Sequence, residues 1–562
     1  MASTGHYLAT AASVRILEAG GNAFDAGVAG ALALNVVQPE FTNLGGVAPI
    51  ILYSARDNEV RTISGLGRWP KAISQEYVDA TWGDAMPAGI QRTVTPAAAD
   101  AWLTALKRYG TKTLAEVAAP AIDLAENGFP VYPILNTTMT AFAGTMAQYP
   151  ITASVFLPQG RPPKVGERLV QRELATTLRM LVEAEAEHAH LGREGAIQAA
   201  RDRFYTGDIA ERIAAFVTEQ GGLLTTEDLA SFAVTVESPL SVTYRGYEVF
   251  ACRPWCQGPV VLQTLRILEG YDLAALGHNS ADTLHLILDA LKAAFADRER
   301  YYGDPDFVDV PIEGMLHPDY AAGWRERIAL DRAFPEMPEP GDPWSFNGQG
   351  ERADTSRLPQ GDFELSAARD TSYLCVVDAE GNAFSATPSD GVGDAGLVPG
   401  LGFMVSDRGT QSWLDPNHPS SILPGKRPRL TPSPGLVMKD GKLIGPYGTP
   451  GGDVQPQAMV QFLVNLIDFG MDPQAAIEAP RVATYSFPDS FSPHTYSPGL
   501  VKAESRIPES VTDELIRRGH TVERWDEFVR AAGSLCAVIV DEEDGALLGA
   551  ADPRRTGYAM GW

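Results

Sequence analysis

The sequence predicts an α/β fold in which helices pack on β-sheet. Three observations predict it. Two helix-patterned segments near the N-terminus run into a strand-patterned one, a β-hairpin pattern opens the last third, and strand, glycine loop and helix succeed one another over 442–470. Such mixed succession is what helices layered on sheet look like in sequence. The 562 residues, 44% of them hydrophobic, suffice for two to four domain-sized units or one large intertwined core.

Taken in order, "LATAASVRILEAGGN" has helical apolar spacing and stops at Gly20-Gly21. "AFDAGVAGALALNVVQP" follows, a small-residue helix so apolar that it must be buried. After "NLGG" at Asn43–Gly46 comes a strand, "VAPIILYSA". The middle of the chain is mostly helical, with "PLSVTYRGYEVFACR" read as strands and "SADTLHLILDALKAAFADRERYYG" as a long amphipathic helix. Residues 333–370 carry Pro, Gly and charge without periodicity, which predicts an exposed, mobile segment. It is the sharpest compositional boundary in the chain and separates 1–370 from 371–562.

A net charge of −26 disfavours nucleic acid as a partner. The N-terminal residues have no basic region followed by an apolar core, and no apolar run reaches 18 residues, so neither a secretory signal nor a membrane span is expected. Cys252, Cys256, Cys375 and Cys536 are too few for a disulfide framework and predict free thiols in a reducing cytoplasm. The nine histidines do not fall at metal-ligand spacing, so no metal and no cofactor are expected.

"TSYLCVV", the turn "DAEGN" and "AFSAT" predict a hairpin centred on Glu380. That register sets Thr371 opposite Ser389, close enough for two hydroxyls to meet. A G-x-G-x-x-G match at Gly391, Gly393 and Gly396 is not a nucleotide loop, because "LVPGLGFMVSD" reads as a strand where a helix is required. Gly451 and Gly452 precede a helix with Pro456 in its first turn; backbone N–H groups there are unpaired and can face an oxyanion. A plain connector is the other reading of that glycine pair.

Together these pieces resemble the gamma-glutamyltranspeptidase family of N-terminal-nucleophile hydrolases. The resemblance is carried in order by "ILEAGGNAFDAGVAGALALNVVQPEFTNLGG", "DTSYLCVVDAEGNAFSAT", "PGKRPRLTPSPGLVMKDGK", "GTPGGDVQPQ" and "ADPRRTG". It implies a four-layer αββα sandwich and an inactive precursor that cuts itself between Asp370 and Thr371. The products would be a large subunit, 1–370, and a small subunit, 371–562, in one intertwined fold. It further implies Thr371 as nucleophile, Ser389 as the hydroxyl that supports it, and Gly451 and Gly452 as the oxyanion hole.

The substrate end departs from the family. Leu66 in "ISGLGRWP" falls where glutathione-cleaving members have an arginine, with Arg68 two residues late. Gln411 falls on the acid that binds the glutamyl amine, and Leu430 and Thr431 replace a serine pair. The stretch "RGTQSWLDPNHPSSILPGKRP" is similar to the branch holding oxamate amidohydrolase and the cephalosporin or glutaryl acylases. Arg408 there is a candidate two-pronged grip on a carboxylate, an ion pair being its alternative; Arg427 reads as structural. The expected activity is hydrolysis of a small carboxylate-bearing or acyl amide. A gamma-glutamyl hydrolase or transpeptidase, and an uncleaved binding protein, are the alternatives. A small-molecule amide would be the substrate, and a dimer of the processed heterodimer, in the cytoplasm, the assembly.

Overall fold

The computed structural model describes residues 1–347, 371–393 and 395–562. Asp370, half of the expected cleavage site, lies outside the described residues, as does 348–369.

Two sheets lie face to face between two layers of helices. The first sheet runs, from edge to edge, Tyr558–Met560, Ala2–Thr4, Leu374–Val377, Ala383–Ala386, Ile50–Ser54, Glu59–Ile63 and Val236–Glu237. The second runs Leu547–Ala551, Cys536–Val540, Lys442–Gly448, Gly435–Lys439, Tyr247–Ala251 and Leu240–Tyr244. Ile51, Tyr373, Cys375, Leu436 and Val538 fill the space between the sheets. The expected sandwich is therefore present.

The helix Ala23–Val37 is buried over its whole length and covers the first sheet. Its small residues are required by contact: a Cβ on Gly27 would lie 2.3 Å from the Phe384 ring. On the far side, Gly258–Leu268, Ala281–Tyr301 and Gln455–Ile467 cover the second sheet. The helix Ala281–Tyr301 is not amphipathic, contrary to expectation. Asp289, Lys292, Asp297, Arg298 and Glu299 are all buried in it, and each meets a partner inside the protein.

The described part of the expected mobile segment, 333–347, is also packed down. Ala333, Met337 and Pro343 are buried. Asp289 accepts from the Phe334 N–H at 3.0 Å, and Asp297 accepts from the Gly341 N–H at 2.9 Å. Composition misleads here because these fastenings come from a distant helix, and a Pro- and Gly-rich backbone can be fixed by its partners alone.

All four cysteines are buried and unpaired. Among the described residues, no helix is long and apolar enough to cross a membrane.

Candidate active site

The hairpin has the expected register. Ala383 pairs with Val377 and Phe384 with Val376, and the same ladder ends in a bridge between Thr371 and Ser389. Asp378 fixes the turn: its carboxylate accepts from the N–H groups of Glu380 and Asn382, and from that of Ala23 at the start of the covering helix. A carboxylate is favoured there by the helix dipole. The head of the hairpin is thus registered from its far end.

At that head the Thr371 and Ser389 hydroxyls lie 2.8 Å apart, both buried. The "NLGG" turn closes around Ser389. Its N–H donates to Val47 O at 2.9 Å, and a Cβ on Gly46 would lie 2.3 Å from Ser389 O. Arg408 is 1% exposed and completes the surroundings. Its Nη2 donates to Ser389 Oγ and its Nε to Asp390, whose other oxygen accepts from Ser406. Burial raises the Asp390 carboxyl above its ordinary value, with Arg408 opposing that rise. Arg408 Nη1 is buried without a partner among the described residues.

Ser389 Oγ accepts from the Arg408 cation, and in its hydrogen bond with Thr371 Oγ1 either hydroxyl can be the donor.

Gly451 and Gly452 follow the strand Lys442–Gly448 of the second sheet. The end of that strand packs beside the Thr371 segment, since a Cβ on Gly448 would sit 2.3 Å from the Tyr373 ring. Gly451 has φ +128° and Gly452 φ +56°. Neither N–H meets an acceptor among the described residues. Gly452 opens a short 3-10 turn leading into Gln455–Ile467, the helix that Pro456 and the apolar spacing predicted. Gln257 Nε2 holds Gly452 O at 2.9 Å and Thr431 O at 3.0 Å, while Arg298 holds Gln257 Oε1 at 2.8 Å.

Of the other expected residues, Thr431 joins the site. Its hydroxyl accepts from Gln411 Nε2 at 2.8 Å, and Gln411 Oε1 is buried without a partner among the described residues. Arg68 is not brought there. Its guanidinium is taken up by Asp306 at 2.6 Å, Gly425 O at 3.0 Å and Asp304 at 3.4 Å. Arg427 pairs with the same Asp304 at 2.6 Å, as a structural arginine should.

Arg408 makes the ion pair that was its alternative reading, to Asp390, and with Ser389 this takes two of its five N–H protons. The strand expected after the glycine triplet is only an isolated bridge, Leu397 to Met404. Among the described residues no helix follows the triplet, and Gly391 is explained by packing, its Cβ position lying 2.0 Å from Glu40 O.

Sequence reasoning missed Gln257, Arg298 and Phe491, which reach the site from distant segments. It also missed a meeting of His285, Asp289 and His520. The Lys292 ammonium stands among those three, 3.0 Å from Asp289 and 3.3 Å from His520.

An αββα sandwich with a buried Thr–Ser hydroxyl pair at the head of a central hairpin defines the class, an amidohydrolase of the N-terminal-nucleophile type. Residues 9–562 match the family described as Gamma-glutamyltranspeptidase, and the chain belongs to it. It is 35% identical to the glutathione hydrolase-like YwrD proenzyme of Bacillus subtilis, over 99% of this chain and 97% of that one. It is also 35% identical to the Acylase ACY 1 proenzyme of a Pseudomonas species, over 99% and 92%. The solved cephalosporin acylase from Bacillus halodurans superposes with a TM-score of 0.86 at 32% identity, covering 100% of this chain and 95% of that one.

Proposed function

We propose that this enzyme cuts its own chain before Thr371 and then hydrolyses amides whose acyl part carries a carboxylate, through an acyl-Thr371 ester. The observation that carries the reading is the hydroxyl pair Thr371–Ser389 anchored by a buried arginine with one nitrogen left over.

Thr371 Oγ1 attacks the amide carbonyl, and the α-amine freed by cleavage takes its proton. That base does not exist in the precursor, so the cut is the switch. The N–H groups of Gly451 and Gly452 hold the oxyanion. The amine then passes the proton to the leaving nitrogen, the C–N bond breaks, and the acyl group stays on Thr371. Water attacks the ester, giving a carboxylic acid and restoring the hydroxyl; an attacking amine gives acyl transfer.

Arg408 Nη1 receives a substrate carboxylate by a single nitrogen. Gln411, neutral where the family has an acid, removes the charge that a glutamyl ammonium needs, and the similarity to two acylases agrees with this. The glutamyl reading has two observations in its favour, the acceptor Gln411 Oε1 without a partner among the described residues and the equal similarity to a glutathione hydrolase-like proenzyme.

The purified protein should run as fragments of about 40 and about 20 kDa, the shares of 60.3 kDa on either side of residue 370. Thr371→Ala should stay whole. Mass spectrometry of the small fragment after a rapid quench should find the acyl group on Thr371. A wild-type chain that stays whole and active, or a glutamyl anilide turned over faster than glutaryl or oxamic amides, overturns the reading.

A further inference from the structure

Between Gly452 and Arg408 stands one side chain that nothing above has used. The ring of Phe491 lies 3.7 Å from the position of a Cβ on Gly452, and the Arg408 guanidinium carbon lies 5.5 Å from its centre. It therefore stands beside both Gly452 and the Arg408 guanidinium. The ring is 8% exposed.

The loop around Phe491 is fastened on both sides. Toward the oxyanion turn, Ser490 gives its N–H and its hydroxyl to Asp453, at 2.8 and 2.7 Å. Toward the arginine turn, the Ser492 N–H donates to Thr410 O at 2.8 Å. His494 reaches Ser412 O at 3.1 Å and stacks on Trp413 with ring centres 3.8 Å apart, and Trp413 stacks on His418 at 4.1 Å. Burial holds both imidazoles at about 4, so the stack is uncharged near neutrality. Asp489 accepts from the Phe491 N–H at 2.7 Å. These fastenings fix the backbone that carries the ring.

We propose that Phe491 is a specificity-determining residue, the rigid wall along which the acyl chain runs from the scissile carbonyl to Arg408. This rests on the function proposed above. An aromatic face suits methylene groups and stacks on the guanidinium, so the ring would fix how many carbons separate the reacting carbonyl from the carboxylate.

The test uses the matured enzyme with anilides of malonic, succinic, glutaric and adipic acids, beside neutral acyl anilides of matching length. In Phe491→Ala and Phe491→Leu the preferred acyl chain should lengthen by at least one methylene. One methylene in an apolar pocket is worth about 10- to 200-fold in kcat/KM, which sets the size of the expected change in ratio. Phe491→Tyr should keep the wild-type order, and all three should still run as two fragments. An unchanged chain-length order in Phe491→Ala and Phe491→Leu, with activity lowered evenly, overturns the proposal. Wild-type enzyme that takes neutral and carboxylated acyl groups alike overturns the Arg408 reading instead. The neutral series would then still report on Phe491.

Discussion

Arg408 holds Asp390 and Ser389 and keeps Nη1 without a partner among the described residues, a division that in the proposed function ties recognition to reactivity. The Arg555 guanidinium lies 3.5 Å from Thr371 O, beside the amine that the proposed cut would expose. A neighbouring guanidinium disfavours an ammonium, so the amine should lose its proton below the ordinary α-amino value of about 8. The pH profile of kcat/KM should therefore rise on an apparent pKa below about 8 and stay level above it. A midpoint above about 9 would show that the amine is not the base. None of this division was legible in sequence. "SDRGT" offers an arginine, but its partners Ser389 and Asp390 lie at the end of another strand, and which nitrogen is left over is a matter of angles.

Elements carry the site differently. The hairpin was legible down to the pairing of Thr371 with Ser389, because a five-residue turn leaves few registers and the strands alternate cleanly. The glycine loop was legible as a helix start. Its neighbours were not, since the packing of Tyr373 on Gly448 joins two sheets and Phe491 comes from a distant loop. The helix Ala281–Tyr301 misled through its charges, which look solvated in a linear reading and instead form a buried network with distant partners.

Gly451, at φ +128° and ψ +25°, occupies a conformation that only glycine adopts readily, yet a Cβ there would meet Gly533 Cα no closer than 3.5 Å. Its requirement is conformational and local. Gly451→Ala should turn the loop and misaim an oxyanion donor, lowering kcat by about 100-fold or more with a much smaller change in melting temperature. Equal kcat in the variant would remove Gly451 from the oxyanion hole.

The whole molecule is bound by buried arginine–carboxylate groups. Glu299 meets Arg298 and Arg429, Asp304 meets Arg427, and Glu504 and Asp552 meet Arg554. Burial alone would raise these carboxyls, but the facing guanidinium groups outweigh it and hold all four below their ordinary values. A depressed carboxyl stabilises the fold above its unfolded value of about 4, and that stability is lost as pH falls through the lower folded value. The urea midpoint should thus hold near neutrality and drop steeply below about pH 4; a midpoint unchanged down to about pH 3 would contradict these assignments.

The first sheet has a further consequence. Ala2–Thr4 is clasped between Leu374–Val377 and Tyr558–Met560, so a strand from before the proposed cut lies between two from after it. Severing the chain at Thr371 then releases no partner. It erases the covalent memory of how the strands were threaded, and a mature molecule once unravelled would have to find by collision a pairing that the precursor found by tether. The enzyme would acquire its chemistry at the moment it gave up its means of refolding.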